Sequence, residues 1–114
     1  MNKWDIVLLS YPFTDARGTK VRPALIVSPN QFNRGGQDIV VLLITSRTEN
    51  PSVHDVHIAA NSTEFSRSGL QRDSLIRISR IITLHKSLVM RSLGSLGPKL
   101  QQQVIEAMRG FYEV

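Results

Sequence analysis

Short apolar runs, most of them with β-branched residues, divide this chain into strands, and only its last segment has a helical period. Asp5 to Tyr11 is apolar and rich in strand formers, and Pro12 ends it, because proline has no N–H to give to a ladder. Phe13 to Lys20 reads as a polar connection, with Gly18 free to take a left-handed conformation. Ala24-Leu25-Ile26-Val27 and Ile39-Val40-Val41-Leu42-Leu43-Ile44 are continuous runs, the mark of strands buried on both faces. They predict strands over Arg22 to Ser28 and Asp38 to Thr45, with Pro29-Asn30 closing the first and a turn at Asn33 to Gln37. Val53 to Ala60 reads as a weaker strand, and Asn61 to Gly69 as irregular or one short helical turn.

Ser74 to Leu84 predicts a long strand with Leu75, Arg77 and Ser79 on one face and Ile76 and Ile78 on the other. The alternation slips at Arg80-Ile81-Ile82, which predicts a bulge or bend, and Leu88 to Leu93 predicts one more short strand. Gly97-Pro98 is a helix entry, since proline at the first helical position loses no needed hydrogen bond. Leu100, Val104, Ala107, Met108 and Phe111 then recur at helical spacing as one apolar stripe. The expected architecture is a single domain over residues 1–114, mainly β with a C-terminal helix, its sheet small and strongly bent or closed into a barrel. Part of the helical stripe, with the apolar strand faces, is expected to seal a homodimer.

Composition removes several classes. Without cysteine there is no disulfide framework and no cysteine-ligated zinc or iron–sulfur site. No run of about 18 apolar residues could span a bilayer, and Ile6 to Leu9 is too short for a signal h-region. A cytoplasmic chain without membrane attachment is the expectation. The acids are scattered, with no carboxylate pair to hold magnesium, and no glycine-rich loop joins a helix to cradle phosphate. No metal or other cofactor is therefore expected. His54 and His57 lie three apart on a predicted strand and would face opposite ways, and His85 has no evident partner.

Charge points toward polyanions. Fourteen basic residues stand against nine acidic ones, a net +5, and ten of the basic residues are arginine. Arginine in place of lysine suits bidentate phosphate recognition. Arg67, Arg72, Arg77, Arg80, Lys86 and Arg91 fall in one stretch whose only acid is Asp73. Such a field favours RNA through counterion release, or a flexible acidic peptide whose carboxylates compete for the same guanidiniums. Arg22-Pro23 opens one predicted strand and Thr45-Ser46 closes the next. If the two strands pair antiparallel, Arg22 comes near Thr45, a guanidinium beside a hydroxyl at a sheet end and a place to hold a phosphate. A surface ion pair of Arg22 with Asp5 or Asp15 is the competing reading.

Asp5-Ile6-Val7-Leu8, Tyr11-Pro12-Phe13-Thr14-Asp15, Arg22-Pro23-Ala24-Leu25-Ile26-Val27-Ser28, Ile44-Thr45-Ser46, Gly69-Leu70, Asp73-Ser74 and Arg80-Ile81-Ile82-Thr83-Leu84 together resemble the MazF/PemK toxin family. The blocks occur in the family's order and at its spacing over nearly the whole chain. The resemblance implies an SH3-like β-barrel with a C-terminal helix, usually a homodimer. It implies a metal-independent, sequence-selective endoribonuclease that cuts single-stranded RNA, paired with a cognate antitoxin protein in a complex that binds DNA. Carried over by position, Arg22 and Thr45 match the family's catalytic arginine and threonine. Arg17, Lys20, Ser46, Arg47, Ser74 and Arg77 are candidates for binding RNA or shaping the site. Two positions depart from the family pattern: Trp4 stands where a glycine usually precedes the first aspartate, and Arg47 where glutamine often follows Thr-Ser.

The residues fit that chemistry. Metal-independent cleavage uses the substrate's 2′-OH as nucleophile, so the protein must stabilise charge on phosphorus and move protons. Arg22 supplies the charge and Thr45 a hydrogen bond to a non-bridging oxygen. Arginine stays protonated in proteins and is a poor base, so Arg22 is read as electrostatic stabiliser and possible acid, with the proton acceptor open. Two alternatives use the same barrel: a non-catalytic module binding RNA or protein, and a toxin that poisons a DNA topoisomerase.

Overall fold

The computed structural model describes residues 1–12 and 19–113. Six strands form one antiparallel sheet in the order β4-β5-β3-β2-β1-β6. They are β1 (Asp5–Pro12), β2 (Thr19–Ile26), β3 (Asp38–Thr45), β4 (Val56–Ile58), β5 (Ser74–His85) and β6 (Val89–Ser95). Helices α1 (Asn30–Gly35), α2 (Phe65–Ser68) and α3 (Pro98–Phe111) lie between and after them. The chain is mostly β, its sheet curled into a half-barrel with α3 packed on it, so the expected SH3-like class holds.

The continuous apolar runs bury residues on both faces, with Val27, Val40 and Leu43 half-buried. Leu25, Leu42, Ile44, Ile76 and Ile78 join Leu100 and Val104 of α3 in one cluster. Ala24, Ile26, Ile39 and Val41 form a second with Val7, Leu9 and Leu84, and the curl of the sheet brings half-buried Leu88 and Val89 onto it. Leu100 and Val104 of the helical stripe are spent in the chain's own core and Ala107 and Met108 pack against it, while Phe111 is exposed, so only the end of the stripe is left for the expected homodimer seal. Tyr112 ties the end of α3 to β5 by donating its hydroxyl to the Ile78 carbonyl, and burial raises its pKa.

The start of α3 is built around Glu64. This carboxylate, 8% exposed, accepts the backbone N–H groups of Lys99 (3.0 Å) and Leu100 (2.9 Å), two donors that the first helical turn cannot satisfy itself. Gly97 makes the room: a Cβ there would lie 2.3 Å from the Glu64 carboxyl carbon. Burial pushes the carboxyl upward, but the two N–H bonds with Arg67 and Lys99 outweigh it and hold the pKa below its ordinary 4.5. A lowered native pKa stabilises the fold above that value, and the contribution is lost as protonation proceeds below it. Glu64→Gln is therefore expected to melt several degrees lower than the parent at pH 7, with the gap closing in melts run at successively lower pH below 4.5.

Three sequence expectations need correction. Arg22-Pro23 lies inside β2 instead of opening it, with Pro23 opposite Leu8 of β1. The strand tolerates proline because the β3 ladder reaches only Ala24, Leu25 and Ile26. The expected turn around Asn33 is helix α1, nailed down by buried Asn33, whose amide donates to the Ser28 carbonyl (3.0 Å) while Ser28 Oγ bonds its Oδ1. His54 lies outside the shortened β4 and meets the Phe111 ring edge-on at 4.8 Å, so it does not share a strand with His57. Trp4, by contrast, takes φ 77°, the left-handed region that glycine favours, so this departure from the family pattern is housed in a glycine-like backbone conformation. The polar connection read over Phe13 to Lys20, with Gly18 and Arg17, lies mostly outside the described residues.

Candidate functional site

Register brings Arg22 and Thr45 together. Ala24 of β2 faces Leu43 of β3 as the last pair of that ladder, and Arg22 and Thr45 each lie two residues beyond it at the same end. The pair forms a ridge with a cleft on each side, and both residues line both clefts. Asp5, one expected partner of Arg22, begins β1, whereas Arg22 is paired with Leu9 near that strand's other end; Asp15 lies outside the described residues.

The first cleft, about 600 Å³, is strongly cationic. Lys20, Arg22, Arg47, Arg72 and Arg91 line it, and among the described residues no acid does. Three separate pieces of chain supply most of these charges: β2, the exit of β3 and the segment before β5, with Arg91 arriving on β6 opposite Leu8. Ser46 and Ser74 complete the set of sequence candidates gathered here. Thr45 Oγ1 accepts the Arg47 N–H (3.1 Å), which orients its lone pair into the loop and leaves its own O–H to donate. Ser74 is buried and donates to the Arg72 carbonyl (2.9 Å), a bond that shapes the wall. Gly69 closes the opposite wall at φ 73°, where a Cβ would lie 1.9 Å from the Leu93 carbonyl oxygen.

The second cleft, about 560 Å³, is lined by Arg77 and Arg80 with Tyr11, Leu43, Ile81 and Ile82. Arg77, also a sequence candidate, stands here, across the ridge from the others. Among the described residues no three acidic or histidine side chains converge as a metal site. The histidines line neither cleft: His57 Nε2 sits 3.5 Å from Asp73, and His85 caps a short 3₁₀ turn by accepting the Ser87 N–H. Asp73 also accepts the Ala60 N–H (2.6 Å), which makes it a fastener between loops. Arg72 and Arg91 show in the sequence only as members of a basic stretch, since their convergence depends on β6 returning beside β1.

The chain matches, over residues 2–112, the model of a family described as PemK-like, MazF-like toxin of type II toxin–antitoxin system. No curated protein matches it. Solved structures that resemble it include a Mycobacterium tuberculosis toxin MazF-mt6, 18% identical, with TM-score 0.77 and 96% of this chain and 97% of that chain covered. A Deinococcus radiodurans MazF is 17% identical, with TM-score 0.77 over 100% of this chain and 97% of that one. An endoribonuclease in complex with its cognate antitoxin, from a mycobacterial species, is 20% identical, with TM-score 0.73 over 100% and 96%. At such identities the likeness is one of fold. No helix among the described residues is long and apolar enough to cross a membrane.

Proposed function

We propose that this chain, which belongs to the PemK-like, MazF-like toxin family of type II toxin–antitoxin systems, is an endoribonuclease that cuts single-stranded RNA without a metal. The observation that carries the reading is that Arg22 and Thr45 line one cleft with five cations and, among the described residues, no acid. A strand laid in that cleft has its phosphates drawn in by Lys20, Arg47, Arg72 and Arg91. At the scissile phosphate the 2′ oxygen attacks phosphorus and the bond from phosphorus to the 5′ oxygen breaks. The 2′ proton is lost and the 5′ oxygen gains one, leaving a 2′,3′-cyclic phosphate and a 5′-hydroxyl. Arg22 offsets the charge that builds on the non-bridging oxygens, and Thr45 donates to one of them.

Growth arrest would follow from loss of translatable RNA. The partner implied by the family is a cognate antitoxin, and an acidic flexible segment of it matches the same basic cleft. Homodimerisation rests on the family resemblance, with only Phe111 of the α3 stripe exposed to take part in it. The test is incubation of pure protein with a long RNA in EDTA, with cut ends mapped and their chemistry read. Cyclic phosphate at discrete positions is expected. Intact RNA from a folded protein would turn the reading toward a binding module, or toward a toxin aimed at a topoisomerase.

A further inference from the structure

The second cleft owes its arginines to a break in the sheet. Leu42 of β3 pairs with Ile81 of β5, but Ile44 pairs with Ile76, so two steps of β3 are matched by five of β5. Arg77 to Arg80, four residues set against Leu43 alone, form a bulge, and such bulges re-aim side chains near functional sites. Beneath it lies Asp55, its side chain only 2% exposed, with Oδ1 3.4 Å from Arg77 Nε. The tight turn before β4 fixes this carboxylate: Asp55 Oδ2 accepts the Ser52 N–H (2.8 Å), and the Asp55 N–H is bonded to the Ser52 carbonyl (3.0 Å). A buried acid is costly unless paired with a cation, and besides fastening that turn Asp55 is placed to hold a guanidinium by its Nε edge. Neither Asp55 Oδ1 nor Arg77 Nε makes a hydrogen bond among the described residues, so the pair is held by charge and can still adjust. The exposed share of Arg77, 30%, faces the cleft that it lines.

We propose that Asp55 positions Arg77 to bind a phosphodiester of the same RNA strand whose neighbouring phosphate lies at Arg22. Both clefts share the ridge of Arg22 and Thr45, so a strand crossing the ridge passes from one into the other. Beside Arg77, the cleft offers Tyr11, Ile81 and Ile82 as an apolar bed for a base and Arg80 as a second cation. Arg77 is thus a substrate-binding residue and Asp55 a positioning residue. The inference rests on the reading of the protein as an RNA-cleaving enzyme, but its test does not require cleavage.

The experiment measures binding of a mixed-sequence, single-stranded 2′-O-methyl RNA, which cannot be cut, over a range of salt. Arg77→Ala is expected to weaken binding about tenfold, the worth of a charged hydrogen bond, and to flatten the salt slope by about 0.7. Arg109→Ala, on the last turn of α3 and outside both clefts, removes the same charge and should leave affinity near the parent value. Asp55→Asn gives the decisive sign. It raises net charge by one, so bulk attraction predicts tighter binding, whereas loss of positioning predicts binding severalfold weaker. Melting curves check the fold, and if Asp55→Asn does not fold, Arg77→Lys carries the test, since it keeps the charge and loses the Nε anchor. Tighter binding by Asp55→Asn, or Arg77→Ala and Arg77→Lys behaving like Arg109→Ala, overturns the proposal; so does a parent protein that binds no RNA. Arg77-dependent binding with ordinary RNA left uncut would instead leave this proposal standing and defeat the nuclease reading.

Discussion

Arg22→Ala is expected to lower the RNA cleavage rate by more than ~10³-fold, and Thr45→Ala by ~10²–10³-fold, the cost of one preorganised donor. The order rests on charge. Phosphorus acquires extra negative charge as the 2′ oxygen attacks, and Arg22 answers it with a full positive charge in a fixed planar fork. Thr45 offers a neutral O–H, oriented because its oxygen already accepts the Arg47 N–H. Arg22 is exposed and Thr45 half-buried, so neither truncation opens a hole in the core. Both variants should melt close to the parent. Arg22→Lys separates charge from geometry, since lysine keeps the former and loses the bidentate fork, and its rate should fall between those of the parent and Arg22→Ala. Single-turnover cleavage at saturating protein reads the chemical step. A folded Arg22→Ala variant with undiminished rate would remove Arg22 from the mechanism.

Gly69→Ala should be the most disruptive alanine substitution among the described glycines, for both fold and activity. Two costs coincide at this position. A left-handed backbone costs an L-residue about 1–2 kcal/mol, and the new Cβ would stand 1.9 Å from the Leu93 carbonyl oxygen, a backbone atom of β6 that cannot swing aside. Either the C-cap of α2 unwinds or β6 shifts, and the loop that carries Arg72 moves with it. Total destabilisation above about 2 kcal/mol is expected from denaturant melts, together with weaker RNA binding. Gly35→Ala is the control, because a Cβ there meets no atom within 4 Å and its φ is ordinary.

The strands that form this site are readable in the sequence because their signals are local. Asp38 to Thr45 is bounded by a charge and a hydroxyl pair around an unbroken apolar run, and β3 has those ends. The isoleucine alternation locates β5, and its slip marks the bulge to within a few residues, since a change of face must show in the pattern of apolar positions. α1 is hidden for the opposite reason. Its six residues have no apolar period, and Asn33 holds them by bonding Ser28, whose Oγ also accepts the Val40 N–H of β3 (3.0 Å), side-chain ties that no apolar spacing reports. Asp55 is hidden on the same grounds: nothing in its spacing ties it to Arg77 until β4 pairs with β5. Leu100 and Val104 look available for a partner because periodicity tells that a face is apolar, not which surface covers it. Arg17 lies outside the described residues, and its candidacy stands as a proposal.

If the substrate's own 2′-OH performs the attack, with Arg22 and Thr45 stabilising the charge that builds on the phosphate, one hydroxyl decides whether the chain is cut. The most direct measurement replaces that single hydroxyl by hydrogen at a mapped cut site, in an otherwise unchanged RNA, in EDTA. Cleavage is expected to stop there while binding persists, because the phosphates that the cationic cleft holds are untouched. Cleavage of the deoxy-substituted site at an undiminished rate would contradict attack by the 2′ oxygen.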